Sequence, residues 1–128
     1  MTDAGFDRGL LDALEAAEEV LIETRRDASS PGHGTIVWAV VVDGDVFVRS
    51  VRGEKGRWYR EASANPEAAA IRVDERRVPV RAVHETDDAV IGKVSVAYRE
   101  KYEASYPGPA AAMVREEVLP TTLRLLPA

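Results

Sequence analysis

The chain contains no cysteine, which excludes disulfides, thiolate metal sites and a cysteine nucleophile. It has only two histidines, His33 and His84, so a metal site made of histidines alone is not expected. No apolar run is long enough to span a bilayer. A basic excess is also missing, since the formal net charge is −5. Nonspecific binding to nucleic acid or to an anionic membrane needs such an excess, so neither partner is predicted.

The amino terminus lacks the apolar segment of a secretory signal. Residues 1–7 carry two aspartates and no apolar core region. Together with the absence of cysteine, this favours a reducing compartment, and the cytoplasm is the expected location. The chain has 128 residues, of which 45% are hydrophobic. This size and composition predict a single domain over residues 1–128 with one hydrophobic core.

Short apolar runs separated by turn residues predict a protein made mainly of strands. Leucines at helical spacing first predict an amino-terminal helix within residues 1–18, centred on Asp7–Ala17 and capped by Asp3 or Asp7. The main barrel strands are expected within about residues 19–84. They are Glu18–Arg25, Thr35–Val42, Val46–Val51, Glu67–Val73 and Val78–His84.

Three local patterns refine the strand prediction. Asp43-Gly44 lies between two β-rich runs, which is typical of a tight hairpin. Thr35–Val42 is the most apolar run in the chain, which indicates a strand buried on both faces. Pro79 has no N–H to give to a ladder, so its strand is expected to lie at a sheet edge or to begin there.

The carboxy-terminal third predicts one long helix and the last strands. A helix is expected over residues 86–105, capped by Thr86 and ended by Tyr106–Pro109. Closing strands follow within residues 113–126, at Val114–Leu119 and Thr121–Leu126. The total is six or seven strands and two or three helices. This composition predicts an α+β fold, a mainly antiparallel split β-barrel with flanking helices, because barrel closure hides the edges of short strands.

The segment from Val46 to Arg60 is basic in an otherwise acidic chain, with five basic residues and one acidic residue. Arginine forks match phosphate oxygens, and the free N–H groups at a helix start, approached through Gly53 and Gly56, attract anions. An alternative is that these cations are only solvated and that Trp58 packs in the core. The residues alone leave the two interpretations equal. The glycine spacing matches neither a Walker nor a Rossmann fingerprint.

Trp58-Tyr59-Arg60, followed by Ala64-Asn65-Pro66 and a β-rich hairpin, resembles the FMN-binding split-barrel superfamily. The pattern is most similar to its deazaflavin-dependent nitroreductase-like branch and to a related bacterial family of unknown function. The resemblance extends from about Val20 to Ala128 and includes Lys101-Tyr102 and the closing strand. It implies a six-stranded antiparallel split barrel, commonly a homodimer with cofactor sites near the subunit interface.

The resemblance also implies which residues hold a cofactor, either FMN or a deazaflavin. Backbone groups of Ile36, Val37 and Trp38 would line the ring system, and Trp58 and Tyr59 would pack beside it. The residues implied to hold the cofactor phosphate are Arg49, Ser50, Arg52, Lys55 and Arg57. The run Arg49–Gly53 replaces the Ser-Lys or Lys-Gly-Gly type segment of relatives known to bind cofactor, so the identity of the cofactor stays open.

Three functions follow from these observations. The first is an oxidoreductase that reduces a small organic acceptor, which fits the lack of an evident catalytic acid or base because the cofactor carries the chemistry. The second is a non-catalytic module that binds or stores a flavin, haem or another anionic small molecule. The third is a protein with no cofactor. No catalytic residue is assigned.

Overall fold

The computed structural model describes residues 5–128, which form one seven-stranded sheet and four α-helices. Every pairing in the sheet is antiparallel, so the predicted α+β split barrel is confirmed. The strands are β1 (Val20–Thr24), β2 (His33–Val37), β3 (Ala39–Val42), β4 (Asp45–Val48), β5 (Ala69–Val73), β6 (Arg76–His84) and β7 (Leu123–Pro127). The helices are α1 (Arg8–Ala16), α2 (Arg57–Ala64), α3 (Asp88–Tyr102) and α4 (Pro107–Met113).

The sheet curls into a barrel that is split between β2 and β3. The strand order is β2-β1-β5-β6-β7-β4-β3, so β2 and β3 are its two edges. Only Trp38 separates them in the chain. Two Cα–Cα steps span at most about 7.6 Å, so the two edges approach each other at Trp38. The open seam beside this residue is where the barrel is split.

The single strand predicted over Thr35–Val42 is therefore wrong, because the chain changes sheet edges at Trp38. Burial on both faces holds only for the second half of the run. In β3, Ala39 packs inside the barrel and Val40 packs under α3. In β2, Ile36 is 60% exposed. A continuous apolar run does not show that its two halves belong to opposite edges.

The hairpin predicted at Asp43-Gly44 is confirmed. β3 pairs with β4 in register from Ala39–Val48 to Val42–Asp45. Asp43 has φ 51° and Gly44 has φ 82°, and positive φ at both central residues is what a two-residue turn of this handedness requires. The turn fixes the register of β3 against β4, and this register sets the position at which the chain leaves β4.

The strand with Pro79 is not an edge strand, because β6 lies between β5 and β7. Its pairing with β7 begins at Val80, opposite Pro127, and Pro79 pairs with Ala70 of β5. Beside β7, the Pro79 carbonyl accepts from the Ala128 N–H at 3.3 Å, just past the end of that strand. The missing N–H of proline is tolerated because Pro79 precedes the part of β6 that has two neighbours.

The ends of the predicted helices differ from those observed. Asp7 caps α1 by accepting from the Leu10 N–H at 2.8 Å, whereas Asp3 lies outside the described residues. Asp87, not Thr86, caps α3 by accepting from Ala89 N–H at 2.8 Å. Pro107 does not simply end α3 but begins α4, since proline suits the first turn of a helix.

The first closing strand, predicted at Val114–Leu119, is wrong. This stretch forms turns and leads into a 3-10 helix at Leu119–Thr121. Three exposed charged residues, Arg115, Glu116 and Glu117, interrupt the alternation that a strand needs. The described chain closes with β7 alone, and with four α-helices rather than two or three.

Two apolar layers hold the fold together. The larger fills the barrel and includes Ile22, Ile71 and Leu123. The smaller lies between the outer face of β3 and β4 and the helices α3 and α4, around Phe47 and Tyr98. Together they bury both faces of β3 and β4, which fixes the chain just beyond β4. Within residues 5–128, no helix has the length and hydrophobicity to cross a membrane.

Candidate functional site

A cleft of about 260 Å³ lies beside the seam of the barrel and is open to solvent on one side. The seam supplies one wall, and the start of α2 and the end of α4 supply the others. Five of its lining residues were predicted from the sequence. The lining residues are Glu19, Ile36, Val37, Trp38, Arg49, Val51, Trp58, Pro109 and Met113. The structure therefore brings together the strand predicted to line the ring system and three residues of the basic segment, Arg49, Val51 and Trp58.

Aromatic stacking fixes the wall of the cleft at Trp38. Its indole lies on the Tyr102 ring with centroids 3.8 Å apart and planes 3° apart. Tyr106 is tilted against the same indole at 5.7 Å. The Tyr102 hydroxyl donates to Glu18 O at 2.8 Å, and the Tyr106 hydroxyl donates to the Glu18 carboxylate at 2.7 Å. Tyr102 and Tyr106 therefore hold Trp38 in one orientation, a role that the sequence did not predict.

Arg49 lies at the floor of the cleft and is only 1% exposed. It follows β4, whose apolar residues insert between the two layers of the core and carry Arg49 inward. Its guanidinium donates to four oxygen atoms on three elements. These are Thr122 Oγ1 at 2.8 Å, Ser95 Oγ at 2.9 Å, Ile91 O at 2.9 Å and Met113 O at 3.1 Å.

The charge of Arg49 is compensated by neutral groups. Within residues 5–128, no carboxylate lies within ion-pair distance of it. Met113 O belongs to the last residue of α4, where the helix dipole is negative. Burial lowers the pKa of Arg49, although the nearby Tyr98 opposes that shift. The cleft therefore has a fixed positive charge at its floor.

Ser50 shapes the loop after Arg49 and does not line the cleft. Its hydroxyl donates to Gly53 O at 2.8 Å, and its N–H donates to Thr121 Oγ1 at 3.0 Å. Both Ser50 and Thr121 are fully buried. The hydroxyl predicted to hold a phosphate thus closes a turn, and the prediction that it touches a cofactor stays untested.

Gly56 packs against the Ser50 side chain. A Cβ placed on Gly56 would lie 2.3 Å from Ser50 Oγ, which is buried and already hydrogen bonded. We therefore expect Gly56→Ala to lower the free energy of unfolding by about 2 kcal/mol through overpacking. Gly92→Ala is the control, because a Cβ there has nothing within 4 Å and alanine favours helix α3. Chemical denaturation of the two variants measures the difference, and equal stability would contradict this role of Gly56.

The remaining basic residues lie outside the cleft. Arg52 and Lys55 are exposed. Arg57 faces a second pocket of about 390 Å³, which we call the arginine pocket. Its lining residues are Arg26, Arg57, Arg60, Glu61 and Ala64. The sequence did not predict that Arg26 and Arg60 line one pocket. The two residues are 34 positions apart and come together only in the fold.

Hydrogen bonds of Glu61 and Asn65 hold the residues of the arginine pocket in place. Glu61 is 8% exposed and accepts from the Thr24 hydroxyl at 2.8 Å and from Arg57 Nε at 3.2 Å. Burial alone would raise the pKa of Glu61, but these hydrogen bonds outweigh it and hold the pKa below its usual value. Asn65 donates to Arg26 O at 2.8 Å, which joins the end of β1 to the end of α2. The Ala-Asn-Pro motif therefore positions Arg26 beside α2.

The two histidines and Tyr59 are not in the cleft. His33 Nε2 hydrogen bonds to an Nη of Arg57 at the rim of the arginine pocket. Tyr59 points the other way, and its hydroxyl lies 2.6 Å from His84 Nε2. Its ring meets Trp58 edge-on at 6.3 Å. Trp58 is thus the member of the Trp-Tyr pair that reaches the cleft. In the described part of the chain, no three His, Asp or Glu side chains are grouped to hold a metal ion.

The chain matches one known protein family over most of its length. The family described as uncharacterized proteins conserved in bacteria, DUF2255, matches residues 10–125. The chain belongs to this family. No curated protein sequence matches this DUF2255 protein.

Solved structures place the DUF2255 protein among the split barrels. HutZ, the haem storage protein of Vibrio cholerae, has a TM-score of 0.70 and 15% identity over 97% of this chain and 91% of its own. The conserved hypothetical protein Rv2991 of Mycobacterium tuberculosis has a TM-score of 0.68 and 14% identity, over 100% of this chain and 83% of its own. The F420-H2 dependent reductase FDR-A has a TM-score of 0.60 and 16% identity, over 98% of this chain and 99% of its own. The resemblance to the flavin and deazaflavin split barrels is confirmed at the level of fold.

Proposed function

We propose that this DUF2255 protein binds FMN or a deazaflavin coenzyme and is an oxidoreductase that reduces a small organic acceptor. The observation that carries the proposal is the convergence of Ile36, Val37, Trp38, Arg49 and Trp58 on one cleft. The bound cofactor would supply the electron pair, while the protein binds it, orients it and sets its electrostatic surroundings.

The walls of the cleft suit a flat, partly polar ring system. Trp38 and Trp58 provide aromatic surface, and the Tyr102 stack keeps Trp38 in one orientation. β2 pairs with β1 on one side only. Its other side presents backbone N–H and C=O groups, which match the alternating donors and acceptors along the edge of a flavin. Ile36 and Val37 belong to this strand and line the cleft.

The fixed charge of Arg49 favours a ring that gains negative charge on reduction. A cation near the pyrimidine side of a flavin is one of the means by which proteins tune that cofactor. Arg49 lies in a water-poor site, where electrostatic interactions are stronger than in bulk solvent. Because four hydrogen bonds hold its guanidinium in place, no rearrangement is needed when the charge develops.

The arginine pocket is the better candidate for the cofactor phosphate than Arg49 or Ser50. Its three guanidinium groups against one carboxylate give an excess of positive charge, and guanidinium matches phosphate oxygens in pairs. The two sites share β2, since His33 contacts Arg57 and Ile36 lines the cleft. His33 and Ile36 are about 10 Å apart along the strand, and their side chains lie on opposite faces of it. A cofactor that reaches both sites would therefore cross the free edge of β2.

Haem is a second candidate ligand, because HutZ has a similar fold and stores haem. Within the described residues, the lining of the cleft contains no histidine, tyrosine or cysteine, which are frequent axial ligands of haem iron. Met113 is the one thioether there. Non-catalytic storage of a flavin remains the direct alternative to reduction, since the same residues would serve it.

We also propose that the protein is a homodimer whose second subunit covers the open side of the cleft. Ile36 is 60% exposed and Val51 is 45% exposed, and both lie at the cleft. Leu21 pairs with Ile36 across β1 and β2 and is also exposed. A contiguous exposed apolar surface of this kind is typical of an interface.

A turnover assay tests the oxidoreductase proposal. Reduced cofactor is mixed with a quinone or nitroaromatic acceptor, with and without the protein. We expect the protein to raise the rate above that of free cofactor, and Ile36→Arg to abolish this gain by blocking the cleft. Val96→Arg is the matched control, because Val96 is a similarly exposed apolar residue on α3. Cofactor binding with no gain in rate would contradict the oxidoreductase proposal and would indicate that the protein stores the cofactor.

A further inference from the structure

His33 joins β2 to the rim of the arginine pocket through a hydrogen bond that fixes its protonation state. Its Nε2 bonds to an Nη of Arg57, the first residue of α2. A guanidinium can only donate, so Nε2 accepts and the imidazole is neutral with its proton on Nδ1. A charged imidazole has no free lone pair, so this bond exists only while His33 is neutral.

The same bond engages Arg57 with the protein itself. Arg57 Nε donates to Glu61 at 3.2 Å, and an Nη donates to His33. The Thr24 hydroxyl donates to the other oxygen of the Glu61 carboxylate at 2.8 Å. Two of the three guanidinium nitrogens of Arg57 therefore donate to protein groups, and fewer N–H groups remain for a ligand.

The charged groups around His33 come from α2 and from the loop between β1 and β2. The helix supplies Arg57, Arg60 and Glu61, and the loop supplies Arg26 and Asp27. Both carboxylates already have an arginine partner, since Glu61 pairs with Arg57 and Asp27 with Arg26.

A charged imidazole at this position therefore needs a counter-ion. Glu23, the nearest acid on β1, is engaged by Arg72 and Arg77. A charged His33 would join an excess of cations, and like charges at short range disfavour one another. An anion held between them removes this repulsion, because it attracts each cation in turn.

We propose that His33 is a binding residue of the arginine pocket, which in its charged form holds a phosphate-type dianion together with Arg57. Protonation of Nε2 breaks the bond between the two side chains and frees an Nη of Arg57 for the ligand. The imidazolium also adds a fourth cation to the three arginines of the pocket. The pocket therefore binds dianions more tightly in mildly acidic than in alkaline solution. This inference rests on the proposed role of the pocket as the phosphate site.

Binding and protonation are linked in both directions. If protonation of His33 tightens the binding of a dianion, the bound dianion must favour protonation of His33 by the same factor. With the pocket filled, His33 should therefore keep its charge up to a higher pH. The gain in affinity is present below the pH at which His33 titrates and is lost above it.

An NMR titration of the imidazole signals tests this linkage, because the chain has only two histidines, His33 and His84. Sulfate is the probe, since it stays a dianion over the range of about pH 5 to 8 in which histidine titrates. Chloride at equal ionic strength is the reference. We expect saturating sulfate to raise the titration midpoint of His33 by about half a pH unit or more, which corresponds to about threefold tighter binding by the charged form.

His84 is the internal control, because it bonds to the Tyr59 hydroxyl away from the pocket. Its titration midpoint should be the same in both salts. His33→Gln is the second control, because glutamine keeps an acceptor for Arg57 but cannot take up a proton. In calorimetric titrations at about pH 5.5 and about pH 8, this variant should bind sulfate equally, whereas the unchanged protein should bind it about threefold more tightly at the lower pH.

The two ways in which the proposal can fail are distinguishable. Sulfate binding with the same His33 midpoint in both salts would overturn the role of His33 and leave the arginine pocket as the phosphate site. No sulfate binding at either pH would overturn both.

Discussion

Arg49→Met is expected to lower the free energy of unfolding by about 3 kcal/mol. The substitution removes four hydrogen bonds that tie the end of β4 to α3, α4 and the start of β7. Each such bond from a charged donor contributes roughly 1.5–3 kcal/mol, and relief of the buried charge offsets part of the sum. Methionine has a similar length, so little packing is lost. Urea denaturation followed by circular dichroism measures the change.

Arg52→Met is the matched control for this prediction. Arg52 lies three positions further along the same basic segment but is exposed, so its replacement should change stability by less than about 0.5 kcal/mol. Equal stabilities of the Arg49 and Arg52 variants would show that the guanidinium at the floor of the cleft is not a structural tie. Its charge would then have to be explained by a ligand alone.

Arg57→Gln combined with Arg60→Gln is expected to remove the preference of the protein for FMN over riboflavin. The two ligands share the ring and differ in the phosphate. If the arginine pocket holds the phosphate, the unchanged protein should bind FMN at least about thirtyfold more tightly, since each charge-assisted contact contributes roughly 1.5–3 kcal/mol. The double variant should bind the two ligands within about threefold of each other. Isothermal titration with both ligands gives the ratio directly.

Riboflavin affinity serves as the internal control for an intact cleft in that experiment. Arg81→Gln with Arg99→Gln is the second control, because it makes the same change in net charge at exposed residues on β6 and α3. This variant should keep the FMN preference. A preference that survives in the Arg57 and Arg60 variant would move the phosphate site elsewhere, with Arg49, Arg52 and Lys55 as the remaining predicted cations.

Local sequence patterns predicted the parts of the fold that local interactions decide. The Asp43-Gly44 turn and the amino-terminal helix capped by Asp7 appear where the sequence patterns predicted them. The break at Trp38 was not predicted, because no turn residue marks it in the sequence. It results from closure of the barrel, which brings the two sheet edges together at Trp38. The false strand at Val114–Leu119 arose because the burial of Val118 depends on packing and not on alternation.

The candidate site shows the same division between local and distant information. The sequence identified the basic segment, but it gave Arg49 and Arg57 the same role. Their environments differ because β4 carries Arg49 into the core, whereas the helical phase of α2 turns Arg57 outward. Arg26 was missed because its position depends on the bond from Asn65, which connects segments that are distant in the chain.

Cofactor binding to the cleft is the central claim, and its most direct test is a titration of the purified protein with FMN and with a deazaflavin coenzyme. The absorbance of the protein as isolated and the quenching of ligand fluorescence are followed together. We predict saturable binding of at least one of them, with fluorescence quenched by the tryptophans at the cleft, Trp38 and Trp58. A protein that carries no flavin absorbance and takes up neither cofactor would contradict the claim.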